Sequence, residues 1–276
     1  MSTNEFKYCP VASKASQALE NGRDMRIAIR ELRRSMATCH NCPQREGCTV
    51  RLAFRQEISA AIRAVVEEWG LDRQDPPVNR ARRHQDQAAE RMGEVSELVR
   101  QLMGDVLLFI EHASCLKLRR YQEQVARAVI DSVIHARGES IVVMFPRQSG
   151  KNELQAQIET YLLTLYCSMD VELVKVSPTW KPQTLNAMRR LERVLERNLL
   201  VQGWWSKSSG YIYQLEQAVI FFLSGEPTTN VVGATANLLL QCDEAQDVQI
   251  AKWDKDFAPM AASTNATRVF WGTAWT

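Results

Sequence analysis

Residues Ile141–Glu153 read IVVMFPRQSGKNE, a run of β-branched and apolar residues followed by a short loop that ends in Gly-Lys. A helical pattern begins directly after the lysine, so the predicted order is strand, loop and helix. Backbone N–H groups in such a loop point inward, and the helix N-terminus adds partial positive charge. The stretch therefore suits a phosphate group, and Lys151 would reach the β- and γ-phosphates of a nucleotide.

The loop departs at two positions from the phosphate-binding pattern G-x-x-x-x-G-K-[ST]. Phe145 stands where the first glycine belongs, and Asn152 stands where serine or threonine does. A Gly-Lys dipeptide also occurs by chance in many proteins. The interpretation as a phosphate loop therefore depends on a partner motif elsewhere in the chain.

The partner motif is Leu238–Asp247, which reads LLLQCDEAQD. An apolar strand ending in two acids is what a phosphate loop requires: Asp243 would hold Mg²⁺, directly or through water, and Glu244 would orient and deprotonate the attacking water. A strand that ends in a solvated acidic turn is the alternative interpretation. Two strand–helix units separate Lys151 from Asp243, which is a sensible separation within one sheet. Together the two stretches predict an ATPase.

Length, composition and net charge limit the class of protein that this sequence can encode. The chain has 276 residues, of which 45% are apolar and 24% charged, with a net charge of +2. These values are typical of a globular protein of about two domains, and the mild basicity neither proves nor excludes a nucleic-acid partner. The sequence shows no secretion signal and no apolar run long enough for a bilayer. We expect no membrane association.

Two regions of different character are predicted. Residues 1–110 show helical periodicity over Asp24–Thr38, Val50–Trp69 and 85–110, interrupted by a polar linker at 71–83, so this part is expected to be all-helical. Residues 111–276 alternate strand and helix, with a hairpin or two edge strands over Tyr211–Glu216 and Ala218–Leu223 and a further strand at Val231–Thr235. That alternation predicts an α/β fold: a three-layer domain with a mostly parallel sheet.

Four cysteines in the helical region form a candidate metal site. Two of them are separated by two intervening residues, so their thiolates can bind one ion, and the other two can complete the set. The spacing is similar to the iron–sulfur motif of WhiB-like regulators and of some recombination nucleases. Zinc and an iron–sulfur cluster both remain open, and ordinary reduced thiols are the alternative. The residues are Cys9, Cys39, Cys42 and Cys48.

Before the phosphate loop, Tyr121 and Gln122 open a helical stretch. An aromatic ring beside a flat amide can stack on adenine and hydrogen-bond to its edge. The same pair is also common packing and capping material at the start of a helix. The sequence therefore offers these two residues as candidates for base recognition.

A third stretch, Arg268–Ala274, is an apolar strand ending in small polar residues, where a hydroxyl would sense the γ-phosphate. With it, the chain resembles the large terminase subunit of tailed bacteriophages, the ATPase that drives DNA into the capsid. The likeness rests on Pro146–Lys151, on three leucines followed by Asp243-Glu244-Ala245, and on Gly272-Thr273-Ala274. These motifs span about residue 116 to the end.

The resemblance implies roles for matching residues. Lys151 and Arg147 would stabilise the charge of the transferred phosphate, and Asp243 and Asn152 would bind Mg²⁺, although an asparagine amide is a weaker ligand than a hydroxyl. Coupling of hydrolysis to movement along DNA would fall to Gly272, Thr273 and Ala274. The residues expected to bind ATP are Tyr121, Gln122, Pro146, Arg147, Gln148, Ser149, Gly150, Lys151 and Asn152.

The resemblance also implies partners. These are double-stranded DNA, the portal protein and the small terminase subunit, with assembly into a ring in the cytoplasm of a bacterial host. Terminases of this kind carry a nuclease domain after the coupling motif, whereas this chain stops at Thr276, so we expect no DNA cleavage by it. A helicase-like remodelling ATPase and a non-hydrolysing nucleotide- and metal-binding interaction module are the alternatives.

Overall fold

The computed structural model describes residues 49–68, 88–229, 231 and 233–274. Contacts divide the chain into two compact units, Met1–Ala113 and Ser114–Thr276. The predicted helix at 24–38, the linker at 71–83 and the four candidate metal-binding cysteines (Cys9, Cys39, Cys42 and Cys48) lie outside the described residues. None of the described helices is long and apolar enough to cross a membrane.

The described part of the first unit is helical. Helix α1 spans Thr49–Glu68 and α2 spans Ala88–Gly104, after which short helical turns run to Ala113. The two helices pack against each other. Each contributes buried apolar residues at helical spacing: these are Ile58, Ile62 and Val65 in α1 and Leu98 and Leu102 in α2. The expectation of helices in this region is met over these residues.

The second unit is built on one seven-stranded sheet in the order β1-β7-β6-β2-β5-β4-β3. The first five strands in that order are parallel, β4 pairs antiparallel with β5, and β3 pairs antiparallel with β4. The predicted mostly parallel sheet is confirmed. The strands are β1 Ser140–Pro146, β2 Glu172–Ser177, β3 Ser206–Ser208, β4 Ile212–Leu215, β5 Ala218–Ser224, β6 Leu239–Cys242 and β7 Thr267–Ala274.

Helices cover both faces of the sheet. One face packs against α3 (Arg120–Ile134), α4 (Lys151–Leu165) and α5 (Leu185–Arg197). The residues of α4 are buried almost throughout, which explains why its pattern is not amphipathic. The opposite face packs against short helical turns between 250 and 261, where Phe257 and Met260 contact a cluster that includes Leu240. The result is the expected three-layer α/β architecture.

Two local differences from the sequence prediction are found. The described residues of Val231–Thr235 form no strand; Val231 and Ala234 instead pack as a loop on the cluster around Leu240. Strand β3, Ser-Lys-Ser, was not predicted, because all three residues are exposed and carry no hydrophobic pattern. It pairs with β4 at the edge of the sheet.

Candidate active site

The register of three parallel strands brings the three sequence motifs to one edge of the sheet. Pro146 at the end of β1 lies opposite Ala274 at the end of β7. Cys242 at the end of β6 lies opposite Phe270 on β7. Because all three strands run in the same direction, the segments after β1 and β6 and the last residues of β7 meet there. This is the carboxyl edge, where ligands bind in open parallel sheets.

Lys151, the first residue of α4, is at the centre of the site. Its ammonium Nζ lies 2.5 Å from Glu244 Oε1, 3.1 Å from Asp243 Oδ1 and 3.3 Å from Thr273 Oγ1. The side chain is 8% exposed and that of Asp243 is 4% exposed, so these charges interact with little solvent screening. The structure thus brings two residues of the acidic motif and one of the β7 motif around the ammonium group of the loop motif.

Glu244 follows β6 in the left-handed backbone region, with φ of 45°. Its carboxylate accepts hydrogen bonds from Thr273 Oγ1 at 2.7 Å and from Gln246 Nε2 at 2.8 Å. Burial acts to raise the pKa of this carboxyl, but hydrogen bonds from Lys151, Gln246 and Thr273, with the positive charge of Lys151, lower it below the usual range. Glu244 is therefore ionised at neutral pH, as a proton acceptor must be.

Two glutamines belong to the site that sequence reasoning missed. Gln155 Nε2 donates to Asp243 Oδ1 at 2.9 Å, and Gln246 donates to Glu244. Gln155 follows Lys151 by one helical turn and therefore lies on the same face of α4, which was the only signal in the sequence. Gln246 lies two residues beyond Glu244, and this spacing alone does not predict a contact between their side chains.

The phosphate loop is shaped by backbone conformations that favour glycine and by contacts from α3. Gln148 and Gly150 have φ of 59° and 83°. Tyr121 OH donates to the Ser149 carbonyl at 2.7 Å, and Gln122 Nε2 donates to the same oxygen at 3.1 Å. Phe145, which replaces the first glycine of the pattern, packs edge-on against the Tyr121 ring at 5.1 Å. Phe145 therefore packs the end of β1, directly before the loop, against α3.

The two residues predicted to recognise adenine are thus engaged with the loop backbone. Gln122 is 6% exposed, and its Oε1 also accepts from the Arg119 N–H at 2.9 Å. Both ends of the amide are occupied, so contact with adenine would require these bonds to be exchanged. Adenine recognition by Tyr121 and Gln122 stays a prediction.

The remaining predicted site residues lie at the same edge. Arg147 is exposed in the loop, and Asn152 is half-buried in the first turn of α4. A Cβ at Gly272 would lie 2.4 Å from Met144 Sδ, so the exposed Met144 side chain would have to move. The oxygen donors of Asp243 and Asn152 are of the class that Mg²⁺ prefers, so the residues fit the expected ion.

Solved structures of two phage proteins resemble this chain. The crystal structure of the HK97 bacteriophage large terminase aligns with a TM-score of 0.50 and 16% identity, over 62% of this chain and 37% of that one. Over the aligned part, the fold of this chain is similar to that of the phage large terminase. The resemblance seen in the sequence is confirmed at that level, and the chain spans little more than a third of the length of the HK97 terminase.

The Thermus phage P74-26 large terminase ATPase domain, as an arginine-to-alanine variant, aligns with a TM-score of 0.47 and 15% identity, over 59% of this chain and 67% of that one. No protein-family model and no curated protein matches the sequence. The roles of individual residues rest on the geometry described above.

Proposed function

We propose that the chain is the ATP-hydrolysing motor domain of a phage DNA-packaging terminase, which couples hydrolysis to translocation of double-stranded DNA. One observation carries the proposal: Lys151 from the loop, Asp243 and Glu244 after β6, and Thr273 at the end of β7 form one hydrogen-bonded cluster. Residues 111–276 would form the ATPase domain and residues 1–110 a helical region.

Each residue has a defined task in this mechanism. Lys151 would exchange its carboxylate contacts for the β- and γ-phosphates of ATP, which frees Glu244 to bind the attacking water and take its proton. Asp243 and Asn152 would hold Mg²⁺, which supplies charge neutralisation at the phosphates. Arg147, exposed in the loop, would stabilise the negative charge that develops on the transferred group.

Coupling to DNA would pass through β7. Thr273 contacts Glu244 directly, so a shift of the end of β7 would change the position of the catalytic carboxylate. The fold of phage large terminases supports double-stranded DNA, the portal protein and the small terminase subunit as partners, in a ring acting in the cytoplasm of a bacterial host. The cysteine set of the helical region would add zinc or an iron–sulfur cluster.

The test is ATP hydrolysis by the full chain, measured with and without double-stranded DNA. We expect DNA to stimulate turnover, and Lys151→Ala and Glu244→Gln each to abolish it. Lys207→Ala removes an exposed lysine that pairs with Glu192 away from the site, and should leave turnover unchanged. Nucleotide binding without turnover by the wild type would contradict the proposal and favour a non-hydrolysing binding module.

A further inference from the structure

Asp243 is held by two donors from the same helix. Lys151 Nζ and Gln155 Nε2 both contact its Oδ1, at 3.1 and 2.9 Å. The two donors are four residues apart on α4, so they lie one above the other on the face directed at β6. The other carboxylate oxygen, Oδ2, is engaged by neither of them.

Only one of the two donors can keep its contact with Asp243 in the proposed mechanism. Lys151 must leave Asp243 when it binds the phosphates, whereas Gln155 is neutral, fully buried and one turn deeper in the helix. Gln155 is then the donor that stays on Oδ1. We propose that Gln155 is a positioning residue, which holds the Asp243 carboxylate so that Oδ2 is presented to Mg²⁺; this rests on the proposed function.

A second layer of contacts keeps Gln155 in register with Asp243. One turn further along α4, Glu159 accepts from Gln241 at 2.8 Å and from Lys175 at 2.8 Å. One helical turn of four residues advances about 6 Å, close to the roughly 6.6 Å between alternate residues of a strand. Gln155 and Glu159 therefore match Asp243 and Gln241, and the helix cannot slide along β6 without breaking both pairs.

The residue after Lys151 makes this support more important. Asn152 stands where the phosphate-loop pattern has a hydroxyl ligand for the metal, so a larger share of metal affinity falls on Asp243. Residues that orient a metal-binding carboxylate change metal affinity or activity by about 10- to 100-fold when they are removed. The same range is expected for Gln155.

The chain offers a matched control for the experiment. Gln157 lies on the same helix, is also buried, and donates to Glu153 at 3.1 Å rather than to the active-site acids. Gln155→Met and Gln157→Met thus remove the same amide from similar surroundings. Turnover should be measured as a function of Mg²⁺ at saturating ATP, with the unfolding temperature of each variant.

We expect Gln155→Met to raise the Mg²⁺ midpoint by about tenfold, with kcat largely restored at high Mg²⁺, and Gln157→Met to keep the wild-type midpoint. Loss of turnover that Mg²⁺ does not restore, or equal midpoints in the two variants, would overturn the role of Gln155. Absence of turnover in the wild type would instead overturn the proposed function, so the two failures are distinguishable.

Discussion

The Thr273 hydroxyl lies 2.7 Å from Glu244 Oε2 and 2.9 Å from its Oε1. It also lies 3.3 Å from Lys151 Nζ. One hydroxyl at the end of β7 thus contacts two of the charged groups that the proposed hydrolysis requires, Lys151 and Glu244. Since β7 lies between β1 and β6 in the sheet, it is the strand through which the loop and the acids are held together.

Replacing Thr273 with valine tests this contact with little change in side-chain volume. The variant loses a donor to an ionised carboxylate, an interaction of about 1.5–3 kcal/mol. We expect kcat for ATP to fall by roughly ten- to a hundredfold, as about 1.4 kcal/mol corresponds to tenfold, while KM changes little. Steady-state kinetics provide the measurement.

Thr267 is the control for this change. It lies on the same strand and is also buried, but its hydroxyl pairs with Ser132 Oγ at 2.8 Å. Thr267→Val should lower stability and leave kcat unchanged. If both valine variants hydrolyse ATP at the same rate, Thr273 has no role beyond packing.

Gln246 provides a prediction about pH. Glu244 has a lowered pKa, so its ionised form contributes stability above the usual carboxyl range, and this contribution is lost as pH falls through the lowered value. Gln246→Leu removes one of the hydrogen bonds that lower the pKa. The acid limb of the pH profile of kcat/KM should therefore move to higher pH.

Gln214→Leu is the matched control for Gln246→Leu. Gln214 is an exposed glutamine whose amide donates to the Glu216 carbonyl, in a hairpin at the other side of the sheet. Its replacement should leave the acid limb where it is in the wild type. If the acid limb of Gln246→Leu coincides with those of the wild type and Gln214→Leu, the hydrogen bond from Gln246 does not lower the pKa of Glu244.

The sequence predicted those parts of the site that are encoded locally. A strand followed by Gly-Lys, an apolar strand followed by two acids, and a strand ending in a hydroxyl are continuous patterns, so Lys151, Glu244 and Thr273 could each be named. Their convergence was not visible in any one pattern. It follows from the placement of β7 between β1 and β6, which depends on contacts between distant segments.

The supporting residues show why the rest could not be predicted. Gln155 and Gln157 are both glutamines in a helix that is buried on nearly all sides, and only the four-residue spacing of Gln155 from Lys151 distinguishes them in the sequence. The hydrogen bond from Gln122 to the loop backbone likewise depends on how α3 packs. Side-chain roles that follow from tertiary contacts leave no periodic signal.

Replacement of Gly150 tests whether Gln122 holds the phosphate loop in place. Its φ of 83° is strained for any other residue, and a Cβ there would lie 2.6 Å from Gln122 Nε2. Gly150→Ala should cost the left-handed strain of about 1–2 kcal/mol and, in addition, displace Gln122 from the loop. We expect nucleotide binding to weaken by more than the stability loss explains, measured by titration calorimetry and urea unfolding.

Gly210→Ala is a control that distinguishes the effect of backbone strain from the effect of the Cβ contact with Gln122. Its φ is 77°, but a Cβ there would meet nothing within 4 Å. Gly210→Ala should therefore show the strain alone, with nucleotide binding intact. Combining Gly150→Ala with Gln122→Ala should recover part of the lost stability. Equal losses of stability in Gly150→Ala and Gly210→Ala would show that the contact with Gln122 does not support the loop.

The four cysteines of the N-terminal region carry a separate prediction. If Cys9, Cys39, Cys42 and Cys48 bind one centre, protein purified without air should carry stoichiometric zinc or iron, and Cys42→Ser should lose it. Cys115→Ser replaces an exposed cysteine of the other unit and should keep the metal. Elemental analysis that finds neither metal in the wild type would remove the site.

The buried pair of Lys175 and Glu159 gives the sharpest stability prediction. Their side chains are 1% and 0% exposed, and Nζ lies 2.8 Å from Oε1. Lys175→Met alone leaves an unpaired carboxylate in the core and should cost about 3–5 kcal/mol in urea unfolding. Adding Glu159→Gln removes that charge and keeps an acceptor for Gln241, so the double variant should regain most of the loss. Costs that simply add would show that the two charges are not coupled.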